Sequence, residues 1–157
     1  MEASVDAGLF RTPGHLINRL SKLSLRWADE RFQRIGLAAA QMPVLYALKG
    51  GASSTQTELA RMAHIEQPTM AQLLGRMERD GLIRRTANPE DKRSSLVSLT
   101  PLAVKKLPAA REVLREGNKL ALEGFTEREI ETLSRLLLRV LRNVEPMAEQ
   151  SEVDRLR

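Results

Sequence analysis

At 157 residues the chain is long enough for one domain with helical extensions, and its 42% apolar content is enough for a core. Only 3% of the residues are aromatic, so Leu, Ile, Val, Met and Ala must do the packing, which favours helix on helix over a β-sandwich. The net charge of +5 suits polyanionic partners without naming one, and the absence of cysteine removes disulfides, cysteine zinc sites, thiol catalysis and thiol redox sensing.

No apolar run approaches membrane-spanning length. The start, MEASVDAGLFRTPGH, lacks the apolar core of a signal peptide, so a cytoplasmic protein is expected. Residues 1–12 are mixed in character and expected to fray.

Pro13 suits a helix start, where its missing N–H matters little. Leu16, Leu20, Leu23 and Trp27 recur along one helical face, flanked by Ile17, Ser24, Ala28 and Arg31. The pattern predicts a long first helix from His15 to about Gln33, with Gly36 as its stop. A second helix is expected over Ala39–Leu48, with Ala38, Met42, Leu45 and Leu48 turned inward and Gly50-Gly51 as its end. Thr55-Gln56-Thr57-Glu58 is a capping box that opens a third helix, whose apolar side is Leu59, Met62 and Ala63.

The fourth helix is predicted from Gln67 to Asp80, with Pro68 in its first turn and Gly81 after its end. At about 100° per residue, Met70, Leu73, Leu74 and Met77 gather on one side. Pro68, Gln72, Gly75 and Arg79 point the opposite way, with Ala71 and Arg76 beside them. Gly costs roughly 1 kcal/mol inside a helix relative to Ala, so Gly75 suggests a close backbone approach.

Leu82–Thr86 and Ser95–Leu99 read as two strands of a hairpin whose tip is Ala87–Ser94, with Asn88-Pro89 as turn punctuation. Thr100-Pro101 caps and starts a fifth helix, in which Pro108 predicts a kink or a break into two pieces. Gly124 ends it. Thr126-Glu127-Arg128-Glu129 is a second capping box, opening a sixth helix with Ile130, Leu133, Leu137, Val140, Leu141 and Val144 as apolar positions. Glu149–Arg157 reads as a charged tail.

Helices three and four, joined by His64-Ile65-Glu66 and followed by a basic hairpin, have the order of a winged helix-turn-helix. In that layout Gln67, Thr69 and Gln72 can hydrogen-bond base edges, Arg76 can meet guanine or phosphate, and Pro68 and Ala71 can touch a thymine methyl. At the tip, Asp91 is placed to pair with Arg93 and aim its guanidinium into a minor groove, while Lys92, Arg84 and Arg85 suit phosphates. The helix alone would equally be a solvated amphipathic face; the hairpin behind it favours DNA.

There is no Gly-rich phosphate loop, nucleophile motif or metal cluster, so no catalysis and no cofactor are expected. His15 and His64 read as a helix-start residue and a turn residue.

The run IEQPTMAQLLGRMERDGLIRRTANPEDKRSSLVSLT resembles the MarR family of bacterial transcriptional regulators, most of all its SlyA-like branch. The IEQP start, the helix-DGLIRR junction, the PEDKR tip and the closing LT carry the resemblance, and GLAAAQMPVLYAL is similar to the family's second-helix region. It spans roughly His15 to Val144. It implies a mainly α winged helix-turn-helix with a small β-hairpin wing, working as a homodimer on a pseudo-palindromic operator in double-stranded DNA. Residues 1–36 and 101–157 would supply dimerisation helices around a DNA-binding domain at 37–100. Gln72 takes the central recognition-helix position, neutral where many members are basic, and Arg93 the wing-tip position.

The resemblance also implies a repressor released by a small aromatic or phenolic effector, for which Trp27, Arg31, Met42 and Tyr46 are candidate pocket residues. The sequence leaves open a ligand-independent regulator, an anti-silencer or activator, and a helical scaffold whose basic surface is incidental.

Overall fold

The computed structural model describes residue 8 and residues 10–155, with side chains described as far as residue 146. The fraying expected of residues 1–12 falls mainly on residues outside the described ones. The described elements run α1 (Pro13–Arg34), a 3₁₀ turn (Ala39–Gln41), α2 (Met42–Ala47), a second 3₁₀ turn (Lys49–Gly51), β1 (Ser53–Thr55), α3 (Gln56–Ala63), α4 (Gln67–Arg79), β2 (Ile83–Ala87), β3 (Ser95–Leu99), α5 (Pro101–Ala121) and α6 (Glu127–Arg155). The chain forms two compact units, Met1–Gly117 and Asn118–Arg157. No helix among the described residues is long and apolar enough to cross a membrane.

The first unit is built on an aliphatic core. Phe32 of α1, Val44 and Leu45 of α2, Leu48, Leu59 of α3, and Met70, Leu74 and Met77 of α4 are shut off from solvent, as are Leu82 and Val97 at the sheet. Burying each such side chain stabilises by about 1.5–3 kcal/mol. Polar clamps tie the C-terminal half of α1 to its neighbours. Asp29 Oδ1 accepts from the Ala39 amide at 2.7 Å. Lys106 Nζ of α5 donates to the carbonyls of Ile35 and Gly36, which end α1, a favourable place for a cation at a helix C-terminus.

The expected second helix is shorter than its apolar pattern. Pro43 in the first turn of α2 lacks an N–H, and the preceding residues, Ala39–Gln41, form the 3₁₀ turn instead. The wing is larger than a hairpin. β1 adds a third antiparallel strand, in the order β1-β3-β2, with Ser54 opposite Val97 and Arg85 opposite Val97 on the other side. Met62, expected on the inner side of α3, is 48% exposed; Leu59 and Ala60 are the buried pair. Pro108 does not divide α5, which runs unbroken through it because one missing N–H removes a single rung of the ladder. α6 likewise continues through Pro146 and includes most of the stretch expected as a tail.

Both capping boxes form as spelled. Thr55 Oγ1 accepts from Glu58 N at 3.3 Å while Glu58 Oε2 accepts from Thr55 N at 2.7 Å, and Thr126 with Glu129 repeats the exchange at 3.3 and 2.8 Å.

Candidate nucleic-acid interface

The turn between α3 and α4 is set by His64. It sits in the left-handed region at φ 51°, ψ 44°, a conformation His tolerates better than most residues. This closes α3 with Ile65 N donating to Ala60 O at 3.0 Å and sends the chain off in a new direction. α4 then starts with Gln67 and Pro68 and ends with Leu82 N returning to Met77 O at 2.8 Å, past Gly81 at φ +70°.

α4 is held from below and open above. Met70, Leu73, Leu74 and Met77 are buried. Gln67, Pro68, Thr69, Ala71, Gln72 and Arg76, the six residues singled out from sequence, are all exposed. Gly75 is not a point of close approach within the fold: a Cβ built there would meet nothing within 4 Å. That expectation fails because the neighbouring side of α4 faces away from the core.

The wing tip is a web of short-range hydrogen bonds. Asn88 Nδ2 donates to Ser94 Oγ at 2.9 Å, and Asn88 Oδ1 accepts from Glu90 N at 3.0 Å. Ser94 N donates to Asp91 O at 3.1 Å. The expected Asp91–Arg93 ion pair is replaced by a backbone contact, with Asp91 Oδ1 accepting from the Arg93 amide at 2.9 Å. A carboxylate two residues ahead closes an Asx turn more readily than it reaches back to an extended guanidinium. The Arg93 and Lys92 side chains are exposed and have no partner among the described residues.

The two strand arginines are engaged. Arg84 Nε donates to Ser98 Oγ across the β2–β3 pair at 3.2 Å. Arg85, half-buried, has its Nε 3.2 Å from Glu78 Oε2 near the end of α4, a strut between helix and wing. Gln56, which the capping box had hidden as a spacer, donates from Nε2 to Gln67 Oε1 at 3.4 Å.

Of the four candidate effector residues, Trp27 and Tyr46 pack against the core that includes Met42, and Arg31 lies on Trp27. Arg31 lies over the Trp27 ring at 3.8 Å and its Nε is 3.7 Å from Glu116 Oε2. Met42 is buried in the core, and Tyr46 is half-buried beneath Lys49 Nζ at 5.2 Å. His15 packs edge-on against Phe10 with centroids 5.0 Å apart. No group of three His, Asp or Glu placed to hold a metal occurs among the described residues.

Comparison with known proteins bears on this geometry. The MarR family model matches residues 35–94, the span from the end of α1 to the wing tip. The uncharacterized HTH-type transcriptional regulator YwoH of Bacillus subtilis is 32% identical over 122 residues, covering 78% of this chain and 88% of that protein. The HTH-type transcriptional repressor IacR of Pseudomonas putida is 29% identical over 119 residues, 76% of this chain and 71% of that protein. Among solved structures, a mutant MarR from E. coli in complex with operator DNA superposes at a TM-score of 0.76 with 27% identity, over 82% of this chain and 92% of that one. The winged helix-turn-helix, the exposed polar face of α4 and these relatives agree: the chain belongs to the MarR family of DNA-binding transcriptional regulators.

Proposed function

We propose that the protein is a homodimeric repressor that reads a pseudo-palindromic operator, with α4 in the major groove and the wing tip in the adjacent minor groove. The observation that carries this reading is the division of α4 into a buried aliphatic face and an exposed face of Gln67, Thr69, Gln72 and Arg76. These side chains are the types that read base edges. Lys92 and Arg93 extend the same logic to the backbone and the minor groove.

The second copy has a physical motive. One recognition helix covers a half-site, and two of them about 34 Å apart require a two-fold. In the first unit, α1 leaves Leu16, Leu20 and Leu23 exposed along one face. In the second, α6 leaves Leu133, Leu136, Val140, Leu141 and Val144 exposed. Faces this apolar are unusual on a solitary soluble chain and suit burial against a partner copy.

The effector belongs to the same proposal. Trp27 and Arg31 offer an aromatic face and a guanidinium, the pair that an aromatic carboxylate needs, and Glu116 is the carboxylate it would displace. Repression is relieved when the acid takes that place.

Footprinting on the DNA upstream of its own gene tests the reading. A two-fold protected site is expected, with log affinity falling steeply against log salt as several phosphates are neutralised. Gln72→Ala should alter base preference and Arg93→Ala should weaken binding. Absence of a sequence-selective footprint, or a monomer in sedimentation at binding concentrations, defeats it. Repeating the footprint with salicylate decides the effector part.

A further inference from the structure

Gln56 and Gln67 are the first residues of the two helices of the helix-turn-helix, eleven positions apart in sequence. The His64 turn brings these two helix starts side by side, and the carboxamides meet, Gln56 Nε2 donating to Gln67 Oε1 at 3.4 Å. Gln67 is exposed and Gln56 half-exposed. Neither carboxamide helps to build the core, and the α3 cap is made by Thr55 and Glu58.

A carboxamide has two unlike heads, an oxygen that only accepts and a nitrogen that only donates. On a base edge the difference is decisive. The donor head suits purine N7, guanine O6 or thymine O4, whereas the acceptor head suits the amino groups of adenine and cytosine. Left alone, an exposed glutamine turns either head outward. Gln67 is not left alone, because its oxygen is engaged by Gln56.

We propose that Gln56 is a positioning residue for sequence readout. It holds Gln67 oxygen-inward, so that the Gln67 Nε2 is the head presented to the major groove and a base acceptor is what it selects. The inference rests on the proposed DNA-reading role of α4 and assigns a preference to one contact within it.

The test is the affinity of the full-length protein for every single-base variant of its operator, for wild type, Gln56→Ala, Gln56→Glu, Gln67→Ala and the Gln56→Ala/Gln67→Ala double variant. Thermal unfolding confirms that each variant is folded. Gln67→Ala should flatten preference at one position in each half-site. Gln56→Ala should flatten the same position by roughly three- to ten-fold, the scale of a weakened base contact, and should add nothing in the double variant. Gln56→Glu has only acceptors to offer. It turns the Gln67 nitrogen inward and the oxygen outward, so the ratio of affinities at that position should move toward adenine N6 or cytosine N4, on top of a uniform loss from the added negative charge. A Gln56→Ala protein with wild-type preference at that position, or a Gln56→Glu protein with uniform loss and no change of ratio, overturns the proposal. If Gln67→Ala itself leaves every preference unchanged, it is the placement of α4 on the bases that has failed.

Discussion

Asp91 holds Arg93 by its backbone: the carboxylate Oδ1 accepts from the Arg93 amide at 2.9 Å, and the guanidinium remains exposed. Asp91 therefore supplies an acceptor at a set place, and on the proposed docking of the wing its negative charge would work against nearby phosphates. The two can be separated. Asp91→Asn keeps an oxygen acceptor and removes the charge, so operator affinity should be unchanged or higher. Asp91→Ala removes the charge and the acceptor together, and a net hydrogen bond contributes about 0.5–1.5 kcal/mol, so its affinity should lie roughly two- to ten-fold below that of Asp91→Asn. Titration of a labelled operator checks both. Equal losses in Asn and Ala would mean that the charge itself is needed.

Gly75 is an interior helical glycine in an ordinary helical conformation with open space where a Cβ would go. Nothing in the fold requires it. Gly75→Ala should therefore stabilise by about 0.5–1 kcal/mol, through the smaller backbone freedom of the unfolded chain. For a chain of this length that raises the melting temperature by about 1–4 °C, measurable by circular dichroism. A lower melting temperature would show that the site is crowded after all.

The sequence made α4 legible because its signals are local. Pro68, Gly81 and the 3.6-residue recurrence of Met70, Leu73, Leu74 and Met77 define α4 without reference to the rest of the chain. Where the structure departs, a choice depended on distant or competing partners. Ser53-Ser54-Thr55 has no strand pattern of its own and becomes β1 only because β3 supplies its ladder. Asp91 two residues before Arg93 is compatible with an ion pair or an Asx turn, and spacing does not separate them. Gln56 and Gln67 meet through the turn at His64, and nothing in either local window marks them as a pair. Trp27 and Arg31 were legible as neighbours on one helix, but their third partner, Glu116, lies on α5.

The capping boxes give the fold a defined acid response. The Glu58 carboxyl is held below its ordinary range first by the Thr55 amide and then by the Thr55 hydroxyl, and Glu129 is held likewise by Thr126. A carboxyl with a depressed folded pKa adds stability that is fully present above its unfolded value, near 4.3 for Glu, and is lost as pH falls through the folded value. Glu58→Gln/Glu129→Gln keeps one oxygen acceptor on each side chain but not the charge. Its melting temperature should lie below wild type at neutral pH, and the gap should close as the pH is lowered beneath about 4. A gap that stays constant with pH would remove the ionised carboxylates from the account.

Gly117 makes room for Trp27. A Cβ there would lie 2.9 Å from the indole Cζ3, closer than side chains pack, so the ring seats against α5 only because this position is bare. The same ring carries the Arg31 guanidinium on its face at 3.8 Å, and Glu116, the residue before the glycine, meets Arg31 at 3.7 Å. Gly117→Ala therefore acts on two quantities in opposite directions. Removing a helix-interior glycine favours the folded state by up to about 1 kcal/mol, while forcing the ring aside costs about 1–3 kcal/mol, so a net loss of stability is expected. Because Trp27 is the only tryptophan, its fluorescence reports the displacement without interference. The emission of the folded protein should shift to the red as the ring gains solvent, and, on the proposed effector role of the Trp27–Arg31 pair, relief of operator binding by salicylate should weaken as the pair is disturbed. An unshifted emission with raised stability would mean that α5 yields in place of the ring. A shifted emission with undiminished salicylate response would separate the indole from effector sensing.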